Sequence, residues 1–215
     1  MFLVVTGGSG SGKSEYAERR VLELGPGHRI YVATMQCFDE ESQKRVQRHR
    51  RMRAGKGFVT LERPFDLKGL EIRNLPGELL EKVSGYPAGS KGEFSEKTSG
   101  CFGEAGGKAS ENVSCQVTVL LECMSNLAAN EMFAPGGSRE RTVEEIKRGI
   151  DRLIGTCDNL VVVTNEVCSD GILYDPDTVA YQEALGQINC WLAGAADEVV
   201  EVVCGIPVTL KQSET

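Results

Sequence analysis

No run of about 18 apolar residues occurs anywhere in the 215-residue chain, which excludes an ordinary helical membrane span. The start, MFLVVT, has neither the basic flank nor the small-residue cleavage site of a secretory signal. A cytoplasmic protein is therefore expected, with no membrane insertion. Histidine is confined to His28 and His49, and the eight cysteines form no CxxC pair. No zinc-ligand spacing results, and the thiols are expected to be reduced and mostly core filler. Excess positive charge is also missing: the net charge is -7 and the pI about 5.1, which argues against general nucleic-acid binding.

What is present fits a single α/β domain spanning 1–215. Short β-branched runs are expected as strands at Phe2–Thr6, Arg29–Thr34, Phe58–Glu62, Val117–Glu122, Asn159–Thr164, Glu198–Val203 and Pro207–Leu210. VTVLLE and NLVVVT are apolar throughout, the pattern of central strands covered on both faces. Helices are expected over Lys13–Leu24, Asp39–Ala54, Ser125–Phe133, Thr142–Thr156 and Pro176–Ala196, the fourth opening on a capping box of Thr142 and Glu145. Residues 84–116 break the pattern, with seven glycines and six serines and no apolar periodicity. They read as a disordered surface insertion, a linker rather than a lid.

Between the first strand and first helix stands GGSGSGKS, the phosphate-binding loop pattern GxxxxGK[ST]. Gly7, Gly8, Ser9, Gly10, Ser11 and Gly12 would turn backbone N–H groups inward around phosphate oxygens, and the helix N-terminus favours the same anion. Lys13 would reach the β- and γ-phosphates, and the Ser14 hydroxyl would ligate Mg²⁺. The competing reading, a glycine-rich turn with a chance lysine, does not explain the strand–loop–helix context.

From Lys44 to Lys56 the chain reads KRVQRHRRMRAGK, seven cations without an acid in an otherwise acidic protein. On a helix Arg45 and Arg53 share a face with His49, a face suited to polyphosphate. The surrounding positive charge disfavours protonation of His49 and keeps its imidazole nucleophilic, able to attack phosphorus. A solvated basic face with an incidental histidine fits the composition equally well. His28, at a strand entrance, reads as structural.

Glu122 closes VTVLLE and Glu166 follows VVVTN, so both belong at the C-terminal edge of the sheet, where open α/β folds bind ligands. Either could hold Mg²⁺ through water or orient an acceptor hydroxyl. Glu122 stands where the second P-loop motif usually has Asp. No NKxD element is present, so no local motif states a base preference.

TGGSGSGKS, YVAT, RHRRMR, LLEC, VVTNEV and INCWLAGAADEVVEVVCGIPVTLK occur in the order and at the spacings of one family. The chain resembles the bifunctional adenosylcobinamide kinase and adenosylcobinamide-phosphate guanylyltransferase family over most of its length outside the insertion. The resemblance implies a RecA-like P-loop fold with a mainly parallel central sheet flanked by helices. It implies phosphorylation of adenosylcobinamide by a nucleoside triphosphate, ATP or GTP, then transfer of GMP from GTP to adenosylcobinamide phosphate through a GMP-histidine. His49 matches the family's histidine. Nucleotide contacts carry over to Gly7 through Ser14, to Thr34, Met35 and Gln36, to Arg50, Arg51, Met52 and Arg53, and to Glu62 and Glu122. The family forms homo-oligomers, a trimer in its type enzyme. The Gly/Ser-rich insertion and VCSDG after TNE depart from the pattern and bear on corrinoid contacts rather than on the nucleotide site. Two other readings stand beside this one: a P-loop small-molecule kinase for which His49 is dispensable, and a nucleotide-binding regulatory module contacting its partner through 84–116.

Overall fold

In the computed structural model, which describes residues 1–36, 44, 47, 51, 53–70, 72, 116–167, 172 and 174–213, the continuously apolar runs lie at the centre of one seven-stranded sheet. The strands are β1 (Phe2–Thr6), β2 (Gly27–Ala33), β3 (Phe58–Glu62), β4 (Gln116–Glu122), β5 (Asn159–Val163), β6 (Glu198–Val203) and β7 (Ile206–Gln212). Their order across the sheet is β3-β2-β4-β5-β1-β6-β7. Every neighbouring pair is parallel except β6 with β7, which form an antiparallel hairpin. Parallel pairing gathers the ends of β1 to β5 on one edge, the edge at which ligands bind in open α/β sheets.

The helices are α1 (Lys13–Glu23), α2 (Met124–Phe133), α3 (Thr142–Thr156) and α4 (Pro176–Ala195). Strand residues alternate between two cores. Leu3, Val5, Tyr31, Leu120, Val161 and Val200 face α1, where Tyr16, Ala17 and Val21 cover them. Val4, Ile30, Val32, Val119, Leu121, Leu160 and Val162 face the other side, under Leu127, Ile146, Ile150, Leu185 and Ile188 from α2, α3 and α4. Burying each such side chain contributes roughly 1.5–3 kcal/mol, and the second core is the larger. No described helix is long and apolar enough to cross a membrane.

The layering is the expected one, with the bounds of the described elements shifted by a residue or two; most of the helix expected over Asp39–Ala54 lies outside the described residues. The capping box is not formed. A 3-10 turn at Arg139–Arg141 runs into α3, so Thr142 is already helical and its hydroxyl donates to the Arg139 carbonyl at 2.5 Å. Glu145 accepts from Lys68 at 2.6 Å and Arg148 at 2.9 Å instead of reaching back; Lys68 holds its carboxyl below the ordinary range. A true cap stands at α4, where Asp175 accepts from the N–H groups of Asp177 and Thr178. Of the cysteines described, Cys123 and Cys157 are half-buried, but Cys190 and Cys204 are exposed rather than core filler, and all four are free thiols. His28 sits in β2, where burial lowers its pKa.

Gly149 places α3 directly on the 3-10 turn Leu67–Gly69: an added Cβ would stand 2.5 Å from the Leu67 Cβ and 3.2 Å from the Lys68 nitrogen. Alanine is the better helix former by about 1 kcal/mol. Gly149→Ala should nevertheless destabilise the protein by roughly 1–3 kcal/mol through overpacking. Urea unfolding measures this, and a stabilised variant would show that the turn yields freely.

Candidate functional site

The loop from Gly7 to Gly12 leaves β1 at the gathered edge and turns into α1. Gly7 has φ 141°, and a Cβ there would lie 2.5 Å from the Val202 carbonyl oxygen, so only glycine fits. Gly12, at φ 95°, precedes the first helical residue, and Tyr16 N–H donates to its carbonyl at 3.0 Å. The hairpin turn of β6 and β7 braces the loop from outside: Gly205 N–H donates to the Ser11 carbonyl at 2.8 Å. Glu166, exposed after β5, donates its backbone N–H to the Gly7 carbonyl at 3.2 Å. Gly8, Ser9, Gly10 and Gly12 are exposed, while the buried Ser11 Oγ has no hydrogen-bond partner among the described residues.

Lys13 is buried and folds back over the loop, its Nζ donating to the Gly8 carbonyl at 2.6 Å. Burial lowers its pKa, opposed by the nearby Cys123 and Glu122. Ser14 Oγ donates to Glu122 Oε1 in a very short hydrogen bond, and Tyr31 OH donates to Oε2 at 2.9 Å. Glu122 thus stands at the end of β4 beside the loop, with a hydroxyl from α1 on one oxygen and a phenol from β2 on the other.

Thr34 is fully buried just beyond β2. Its hydroxyl donates to the Cys123 carbonyl and accepts from Cys123 N–H, both at 2.8 Å, while its backbone N–H donates to the Glu122 carbonyl at 3.0 Å. Asn130 on α2 donates to the carbonyls of Thr34 at 2.7 Å and Pro64 at 2.9 Å. The ends of β2, β3 and β4 are tied together in this way. Met35 and Gln36 follow, both half-buried, and Glu62 ends β3 at the same edge, exposed.

Of the basic segment, Lys44, Gln47, Arg51 and Arg53 are described and helical; Arg45, His49, Arg50 and Met52 lie outside the described residues. Arg51 is exposed. Arg53 is buried: its guanidinium carbon sits 3.4 Å from the centre of the Tyr31 ring, and its Nε and Nη1 have no hydrogen-bond partner among the described residues. Lys56 donates to Glu18 Oε2 on α1 at 2.6 Å, and Glu18 is fully buried. The end of the basic segment is therefore pinned to the P-loop helix.

The sequence reading did not include Tyr31, Glu18, Lys56 as an anchor, or Asn130. Tyr31 resembles any core aromatic of a strand, and its partner lies 91 residues away. The one available signal was an unpaired Glu18 on the apolar face of α1. Ser14 and Glu122 together suit an octahedral divalent cation held by a hydroxyl and a carboxylate at a helix start. No cluster of three or more His, Cys, Asp or Glu forms a metal cage among the described residues.

The profile of the family described as cobinamide kinase / cobinamide phosphate guanyltransferase matches residues 3–83 and 104–210. Two curated relatives carry the name bifunctional adenosylcobalamin biosynthesis protein. That of Salmonella typhimurium is 28% identical and that of Escherichia coli 29%, each over 98% of this chain and 100% of the relative. Among solved structures, a KaiC-like protein of Pyrococcus horikoshii aligns with TM-score 0.42 at 12% identity, over 93% of this chain and 71% of that one. A type III secretion ATPase aligns with TM-score 0.45 at 10% identity, over 97% and 56%.

A polyphosphate on the loop would return to Lys13 the stability of its charged form. On the alkaline side, between the lowered pKa and the ordinary lysine value, triphosphate binding should take up a proton. Calorimetry in buffers of different ionisation enthalpy reads this uptake. Lys13→Ala should bind roughly 10–100-fold more weakly, with no uptake. A wild type whose binding enthalpy is independent of buffer across that range contradicts the assignment.

Proposed function

That the chain belongs to the cobinamide kinase / cobinamide phosphate guanyltransferase family is the premise from which we propose its function in cobalamin biosynthesis. The enzyme phosphorylates the aminopropanol hydroxyl of adenosylcobinamide with ATP or GTP. It then transfers GMP from GTP to the resulting adenosylcobinamide phosphate, with His49 as the covalent carrier. The observation that carries this reading is the docking of the basic segment beside the P-loop: Arg53 stacks on Tyr31, and Tyr31 donates to Glu122, which also accepts from Ser14. His49 stands four residues before Arg53 in the sequence.

In this reading the backbone N–H groups of Gly7 to Gly12 hold the phosphate chain, and Lys13 exchanges its bond to the Gly8 carbonyl for phosphate oxygens. Ser14 and Glu122 would hold Mg²⁺, which when bound supplies charge neutralisation to the triphosphate. Thr34, Met35, Gln36 and Glu62, at the ends of β2 and β3, lie where they can contact the rest of the nucleotide. Arg50, Arg51, Met52 and Arg53 complete the proposed contact set.

Guanylyl transfer proceeds in two displacements. The neutral His49 imidazole attacks the α-phosphorus of GTP, the bond to the bridging oxygen breaks, and pyrophosphate leaves. The acceptor phosphate oxygen then attacks the same phosphorus, and the imidazole leaves with its electron pair. The arginines stabilise charge on the departing pyrophosphate in the first step. A cytoplasmic homo-oligomer, trimeric as in the family's type enzyme, belongs to the same reading.

Incubation with Mg²⁺ and GTP labelled at the α-phosphate tests the intermediate. Acid-labile, alkali-stable label is expected on the wild-type protein and none on His49→Ala. A wild type that binds GTP without labelling would leave the kinase without guanylyltransferase activity as the better account, and label retained in His49→Ala would put the covalent carrier on another residue.

A further inference from the structure

Tyr31 belongs to no nucleotide-binding motif, yet it touches both halves of the site. We propose that Tyr31 is the positioning residue that fixes the orientation of Glu122 and couples it to the seating of Arg53. The proposal rests on the nucleotide site described above and adds to it a link between the P-loop carboxylate and the basic segment.

Register explains the contact. Tyr31 pairs with Leu120, and Ala33 with Glu122, so Tyr31 and Glu122 are diagonal neighbours on the α1 face, where a long phenol spans the offset. Glutamate has one more rotatable bond than the aspartate usual at this place. With Ser14 on one oxygen, the Tyr31 hydroxyl at 2.9 Å on the other restrains the turn of the carboxylate plane.

On the ring face lies Arg53, close enough for a strong cation–π contact and shielded from water. A cation on the ring draws electron density from the phenol and strengthens its hydroxyl as a donor to Glu122. In return, the ring is the platform for a guanidinium whose Nε and Nη1 have no hydrogen-bond partner among the described residues. Seating of the basic segment and orientation of the carboxylate therefore favour each other.

Tyr31→Phe separates this role from packing, because it keeps the ring on Arg53 and the edge contact with Phe58 at 6.3 Å. Binding of fluorescent N-methylanthraniloyl-GTP, measured in EDTA and across a Mg²⁺ titration, provides the readout. In EDTA, Tyr31→Phe should bind within about twofold of wild type, while the Mg²⁺ concentration for half-saturation rises about tenfold, as expected for loss of one hydrogen bond to a charged group. Tyr31→Leu should weaken binding in EDTA as well, because Arg53 loses its platform. In a Glu122→Gln background the Mg²⁺ effect of Tyr31→Phe should shrink to within about twofold, a coupling that a general packing defect would not produce. Thermal melts identify any variant that is simply unfolded. A wild-type Mg²⁺ dependence in folded Tyr31→Phe, or an undiminished effect in Glu122→Gln, overturns the inference while leaving the nucleotide site intact. A wild-type protein that binds no nucleotide overturns the underlying reading.

Discussion

The carboxylate of Glu122 joins the separate parts of the site. Its two oxygens accept from Ser14 on α1 and Tyr31 on β2, and its own strand, β4, is central in the sheet. Glu122 is half-buried, and a carboxylate that loses part of its hydration is costly unless donors replace it. The P-loop helix, the second strand and the fourth are therefore constrained to one mutual arrangement. Thr34 reinforces it from below through the backbone of Glu122 and Cys123.

Around that point the loop is held from several sides. The β6–β7 hairpin turn bonds the Ser11 carbonyl, the segment after β5 bonds the Gly7 carbonyl, and Lys56 bonds Glu18 on the helix that follows. These anchors come from distant parts of the chain, so the loop's shape before any ligand arrives is a property of the whole fold. Preorganisation of this kind reduces the ordering cost of binding a flexible triphosphate. The buried Ser11 Oγ and the Nε and Nη1 of Arg53 are polar groups without a hydrogen-bond partner among the described residues.

How much of this was legible depended on distance along the chain. The P-loop is contiguous and needs glycine at Gly7 and Gly12 for steric reasons, so it reads directly. The central strands read from their unbroken apolar runs, and Glu122 from its place at the end of one. Tyr31 was not legible, because a tyrosine in a buried strand is ordinary and its hydroxyl partner comes from another strand. Arg53 was expected to share a helix face with His49; its packing on an aromatic ring comes from tertiary context and has no signal in the local sequence. The Thr142 capping box failed for a local reason: the preceding 3-10 turn extended the helix, and Lys68, distant in sequence, captured Glu145. His49 and residues 84–115 lie outside the described residues, so the reading of each rests on sequence; Gln116, expected as the end of the insertion, instead opens β4.

The proposed function is two successive transfers to the same corrinoid, first phosphoryl and then guanylyl. Mass spectrometry of adenosylcobinamide incubated with the protein, Mg²⁺ and GTP tests it most directly. The account predicts a species heavier by one phosphoryl group, then its conversion to one carrying GDP. Accumulation of the phosphorylated species with no further change, or an unaltered corrinoid, would contradict it.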